Sequence, residues 1–124
     1  KHIVHTDEAP EAVGAYSQAT TNGDLVFTAG QIALTPDGEL RDEASVTEHT
    51  ELALANLNAV LAEAGAAPTD VLKTTVFLAD IDNFYEMNAA YAEFFYSEPP
   101  ARSAVQAGRP EGVAVEIEAV ASIE

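Results

Sequence analysis

The segment from Ala114 to Ile123 constrains the fold more than any other. Val115, Ile117, Ala119, Ala121 and Ile123 alternate with Glu116, Glu118, Val120 and Ser122. Successive side chains of a strand point to opposite faces, so this is a strand with one apolar face and one face carrying two carboxylates. It calls for a sheet with one side buried against other elements.

The rest of the chain supplies those elements. Ala15 to Thr21 and Asp24 to Ala29 read as strands around Asn22-Gly23, a pair suited to a type I′ hairpin because both central residues then take positive φ. Thr35-Pro36-Asp37-Gly38 reads as a turn closing a strand-like Gln31 to Leu34. Ser45 and Glu48 have capping-box spacing, and Ala53, Leu54, Leu57, Val60, Leu61 and Ala64 recur at helical intervals up to Gly65. Leu72 to Ala79, rich in Thr and Val, reads as a strand. A second helix is expected from about Asp82 to Phe95, with Phe84, Met87, Tyr91, Phe94 and Phe95 on its apolar side. Asn88 follows Phe84 by one helical turn and shares that side, where it either satisfies a buried backbone group or serves a site. Pro99-Pro100 ends the helix, and Arg102 to Gln106 reads as a strand. This order predicts an α+β fold, an open sheet with two helices packed on one side. With 124 residues, 48% of them apolar, and no repeat or linker-like stretch, the expectation is a single domain over 1–124.

Composition narrows the chemistry. There is no cysteine, which excludes disulfides, thiolate catalysis and cysteine-held metals. The 21 Asp and Glu against 5 Lys and Arg give a net charge of -16, spread through segments with clear apolar periodicity rather than gathered in a tail. Such a surface suits a salty cytoplasm, because at about 1 M salt the Debye length is only about 3 Å. Lowering the salt is therefore expected to lower the melting temperature; a midpoint that ignores salt would refute the idea. The same charge disfavours nucleic acid, whose phosphates call for clustered Lys and Arg. The start KHIVHTDEAP has no signal pattern and no apolar run approaches about 20 residues, so a cytoplasmic protein with no membrane partner is expected.

Motifs for phosphate loops, dinucleotide binding and a serine nucleophile elbow are absent from the sequence. His2 and His5, three apart on what reads as a strand, would face opposite ways, which argues against a metal site. Asp37-Gly38-Glu39 lacks the alternating ligands of a calcium loop and reads as a turn. Lys73 on a half-exposed strand reads as surface. What remains is Arg102, behind a stiff Pro-Pro step, and Glu116 between apolar neighbours. Arg102 is either a structural ion-pair partner of Glu116 or Glu118, or a fork for a substrate carboxylate, whose geometry the guanidinium matches. In the second case Glu116 would hold or activate water.

Six strings in order, GAYSQA at 14–19, FTAGQI at 27–32, DVLKTTVFLAD at 70–80, MNAAYAEFF at 87–95, PPARSAVQ at 99–106 and VEIEAVA at 115–121, resemble the Rid family of reactive intermediate deaminases, also called the YjgF family. The resemblance implies a chorismate-mutase-like fold, with a mixed, mostly antiparallel sheet and two helices on one face. It also implies a homotrimer with a ligand cleft at each subunit interface, and a cofactor-free hydrolysis of enamines and imines such as 2-aminoacrylate to 2-keto acids and ammonia. By the same resemblance Arg102 binds the substrate carboxylate and Glu116 positions the attacking water. Tyr16, Gly30, Asn88 and Ala104 would line the substrate site, Gly30 by bringing its backbone close to the ligand. Two positions depart from the family pattern. Ala104 stands where many members have cysteine, which matters little if that position acts through its backbone carbonyl. Ala29 stands where many have serine, which weakens or redirects activity if the hydroxyl is needed. A non-catalytic trimer binding small carboxylates and an endoribonuclease are the alternatives.

Overall fold

The computed structural model describes residues 1–123. Six strands form one sheet: β1 (His2–Val4), β2 (Ala19–Thr21), β3 (Leu25–Thr28), β4 (Val71–Leu78), β5 (Ala101–Gln106) and β6 (Val115–Ser122). Their order across the sheet is β1-β2-β3-β6-β4-β5, and among the described residues only the β4–β5 pair is parallel. Helices α1 (Val46–Glu63) and α2 (Phe84–Phe94) pack against each other, and α1 lies on β6 and β3. This is the expected mixed, mostly antiparallel sheet with both helices on one side.

Strand β6 sits in the interior of the sheet, and its alternation decides which side is covered. Val115, Ile117, Ala119 and Ala121 are buried with Val76 and Leu78 of β4, beneath Leu54, Leu57, Val60 and Leu61 of α1. Burying each such aliphatic side chain contributes on the order of 2 kcal/mol before conformational entropy is subtracted. The helix itself is fixed at both ends. Ser45 accepts a hydrogen bond from the Glu48 N–H at 3.1 Å. At the far end Gly65 takes φ 90°, and the N–H groups of Gly65 and Ala66 return to the carbonyls of Ala62 and Leu61, a Schellman closure. A 3₁₀ turn over Ile81–Asn83, capped by Asp80, leads into α2, whose Met87 and Tyr91 are buried, as is Phe95 just past its end.

Three local expectations are corrected. The β2–β3 turn has positive φ at Gly23 (99°) but not at Asn22, so it is not type I′. Asn22 instead spends its side-chain oxygen on the N–H groups of Asp24 and Leu25, and the turn centres on Gly23-Asp24. Strand β1 ends at Val4, so His5 lies beyond it and the opposite-face argument does not apply; His5 stands 3.8 Å from Asp7. Gln31 to Leu34 is not a strand but two isolated bridges, Gln31 to Ile117 and Leu34 to Leu40. The cause is a slip of one residue: β3 pairs Phe27 with Val120, yet the next bridge pairs Gln31 with Ile117, so three residues oppose two. The Thr28 hydroxyl accepts the Ala119 N–H that the slip leaves over, at 3.0 Å. The Asn56 side chain donates to the carbonyls of Ile32 and Leu34, tying the bulged segment to α1.

Candidate active site

Arg102 lies on the edge strand β5 in register with Thr74, which is fully buried, so its side chain points to the helix side of the sheet. There α2 holds it. The guanidinium carbon sits 4.7 Å from the centre of the Tyr91 ring and 5.3 Å from that of Phe84, and Nη1 donates to Asn88 Oδ1 at 2.7 Å. Phe84, Asn88 and Tyr91 follow one helical stripe, i, i+4 and i+7, and cation–π contacts of this kind contribute about 0.5–2 kcal/mol each. The Tyr91 hydroxyl is within 2.6 Å of Thr74 Oγ1. Burial raises the phenol's pKa above its ordinary value, opposed by that hydrogen bond and by the charge of Arg102. Asn88 is thus neither a cap nor a backbone partner; it holds one arm of the arginine fork, and the other guanidinium nitrogens make no hydrogen bond among the described residues. Ala104, two residues on, lies on the same face and packs at the margin of the core.

Glu116 is elsewhere. It is in register with Phe77, three residues from Thr74 along the same strand, and so occupies the opposite, helix-free face. Glu118, in register with Thr75, shares that face. The ion-pair reading of Arg102 with either glutamate is therefore not met within the chain. Glu116 pairs with Arg109, whose Nη1 donates to Oε1, and the two side chains are 23% and 21% exposed. Arg109 also lies 5.1 Å over the Phe77 ring and donates from Nε to its neighbour's carbonyl, Gly108 O, at 2.8 Å.

Gly30 sits in the bulge beside this carboxylate. A Cβ there would fall 1.9 Å from Glu116 Oε2, so the missing side chain is the space that the carboxylate fills. Around the pair is a cleft of about 410 Å³, lined among others by Tyr16, Ala29, Gly30, Gln31, Pro110 and Glu116. The Tyr16 hydroxyl accepts from the Val13 N–H at 3.3 Å, and its ring is 53% exposed at the cleft. Gln18, buried below, holds the loop with hydrogen bonds to the backbone of Thr6 and Pro10. A larger concavity, about 690 Å³, lies between residues 35–44 and α1; Glu39, Asp42, Glu43, Glu48 and Glu51 line it, and neither Arg102 nor Glu116 reaches it.

The named residues thus fall into two groups: Arg102, Asn88 and Ala104 on the helix side at the sheet edge, and Glu116, Gly30 and Tyr16 on the open face. Sequence reasoning missed Arg109, Gln18 and Asn56. Only Arg109 carried a signal, as one of five basic residues in so acidic a chain. Among the described residues no cluster of His, Asp or Glu could hold a metal ion, and no helix is long and apolar enough to cross a membrane.

Comparison with known proteins places this arrangement in context. The sequence profile of the family described as Endoribonuclease L-PSP matches residues 6–123. A RutC family protein from Pyrococcus abyssi is 41% identical over 122 residues, spanning 98% of this chain and 96% of the relative. Human 2-iminobutanoate/2-iminopropanoate deaminase is also 41% identical over 122 residues, covering 98% of this chain and 89% of the human one. Among solved structures, TdcF of E. coli with bound serine superposes with a TM-score of 0.93 at 40% identity, covering 100% of both chains.

Proposed function

The chain belongs to the Endoribonuclease L-PSP family, the same grouping as the YjgF proteins, and on that premise we propose that it hydrolyses enamine and imine derivatives of small 2-keto acids. The observation that carries this reading is the pair of half-sites: a stacked arginine fork with arms to spare, and a carboxylate held over a side-chain-free backbone position in a cleft. The similarity to human and rat 2-iminobutanoate/2-iminopropanoate deaminases supports the same chemistry.

In this reading the substrate enamine first tautomerises to its imine. Arg102 grips the carboxylate with the arms that Asn88 leaves open, and the Tyr91 and Phe84 rings keep the guanidinium plane in place. Glu116 accepts a proton from water as the oxygen adds to the imine carbon. The nitrogen of the resulting carbinolamine takes up a proton and leaves as ammonia, and the C–O bond becomes the carbonyl of the 2-keto acid. One water is consumed for each ammonia released.

Because Arg102 and Glu116 lie on opposite faces of one sheet, a site with both requires a second copy of the chain. The open face suits that role, since Phe27 is 50% exposed, Ile3 59% and Val105 42% with no helix above them. A closed ring of three, in which the Glu116 face of one subunit meets the Arg102 edge of the next, gives three equivalent composite sites.

Semicarbazide trapping of imines generated by an amino-acid oxidase tests the activity: the protein should lower trapping, and Glu116→Gln should cut kcat about 10²–10³-fold while retaining 2-keto acid binding. If Glu116→Gln matches the parent rate, the water-activating role is lost. A shared site makes a second demand. Arg102→Ala and Glu116→Gln, each inactive alone, should regain roughly a quarter of the parent activity when unfolded together and refolded as mixed trimers; no recovery in verified mixed trimers would place each site within one chain.

A carboxylate-binding role without turnover is the second reading, favoured by the relative solved with bound serine. It predicts 2-keto acid binding by the parent and by Glu116→Gln alike, with trapping unchanged by either. RNA cleavage is the least supported, since a charge of -16 repels a phosphate backbone.

A further inference from the structure

Arg109 is not needed to bind a substrate carboxylate, yet it is spent on Glu116. Three contacts fix it. Its guanidinium lies over Phe77, the residue directly across the strand pair from Glu116. Its Nε is anchored on the Gly108 carbonyl at 2.8 Å, and its Nη1 takes Glu116 Oε1. The other carboxylate oxygen, Oε2, is thereby turned over Gly30, where a Cβ would stand 1.9 Å away. The two oxygens have separate surroundings, one bound to a cation and one facing the cleft that Gly30, Ala29 and Tyr16 help to line.

We propose that Arg109 is a positioning residue for this reaction: it holds Glu116 Oε1 so that Oε2 alone is presented to the water, and it contributes to kcat without contacting the substrate. The claim rests on the hydrolytic reading above. It also follows that Arg102 and Arg109 are not interchangeable. Arg102 keeps free arms for an anion, whereas Arg109 is committed through Nη1 to the protein's own carboxylate and does not line the cleft.

The test compares Arg109→Ala and Arg109→Lys with the parent in the trapping assay, with crystal structures of all three. Arg109→Ala should lower kcat about 10–100-fold with KM within a factor of two, the signature of an interaction that counts only in the transition state. Arg109→Lys, which keeps a cation on a shorter-range contact, should recover part of the loss. In the Arg109→Ala crystal the Glu116 carboxylate should leave its place over Gly30. Unchanged kcat, or a rise in KM with kcat intact, overturns the proposal, the latter by making Arg109 a substrate contact. If Arg109→Ala does not fold, the Arg109→Lys comparison decides alone, with an unaltered kcat and carboxylate position counting against it. If the parent itself does not lower trapping, the hydrolytic reading fails and the contribution to kcat is overturned with it; the crystals then show separately whether Arg109 sets the place of the carboxylate, an unmoved Glu116 overturning that part too.

Discussion

Arg102→Ala is expected to abolish both 2-keto acid binding and imine hydrolysis, lowering kcat/KM by about 10²–10³-fold. Removing one partner of a desolvated, hydrogen-bonded charge pair costs about 2–5 kcal/mol, and every 1.4 kcal/mol is a factor of ten. The loss should be kinetic and thermodynamic more than structural. Arg102 stands at the sheet edge, half-buried, and its deletion leaves Asn88 Oδ1 without its 2.7 Å donor and exposes ring surface on Tyr91 and Phe84. That predicts a stability loss of about 1–2 kcal/mol. Arg102→Lys should rescue little, because an ammonium cannot serve Asn88 and a carboxylate in one plane. Titration with a 2-keto acid, trapping kinetics and a melting curve together check the prediction. Binding that survives Arg102→Ala would mean that the anion is held elsewhere.

Gly30→Ala should have the second-largest effect, with the opposite balance between stability and rate. The new methyl group would meet Glu116 Oε2, Cδ and Cγ at 1.9–2.7 Å. These are the outer atoms of a movable side chain, so the backbone can stay and the carboxylate must swing away. The fold should therefore lose less than about 1.5 kcal/mol, a little under the usual cost of overpacking. The rate should fall about 10²-fold, since a misplacement of about 1 Å at a catalytic group has that consequence. Binding should be little changed, because in the composite site the fork of Arg102 comes from the neighbouring subunit and keeps its own supports, Asn88, Tyr91 and Phe84. A melting point near that of the parent with an undiminished kcat would show that the place of Glu116 over Gly30 is irrelevant to function.

How far such a site can be read from sequence depends on the kind of information involved. The alternation of Val115 to Ile123 and the spacing of Leu54, Leu57 and Leu61 are local and periodic, and they yielded the strand, the helix and their buried faces directly. The stripe of Phe84, Asn88 and Tyr91 was equally local, which is why Asn88 could be singled out, although its partner could not. The pairing of Glu116 with Arg109 depends on how the loop between β5 and β6 folds back, and no spacing rule encodes that. Arg102 and Glu116 were both named, but their pairing within one chain failed on parity. Whether two residues share a face depends on the register between strands far apart in sequence, and the parallel β4–β5 pairing fixed it the other way. Gln31 to Leu34 failed for a related reason, since a short apolar run such as Ile32-Ala33-Leu34 reads as a strand whether or not its neighbours keep count.

That miscount has a cost and a use for the lineage. The extra residue between Phe27 and Gln31 makes this part of the sheet sensitive to the number of residues as well as their identity. A deletion within Thr28 to Gly30 would restore an unbroken ladder and stabilise the strand locally, yet it would remove the notch into which Glu116 is set. Thr28 is held to a hydroxyl residue by the Ala119 N–H that it accepts, and the length of the segment is held as firmly, so an alignment gap at this point would be a sign of lost chemistry.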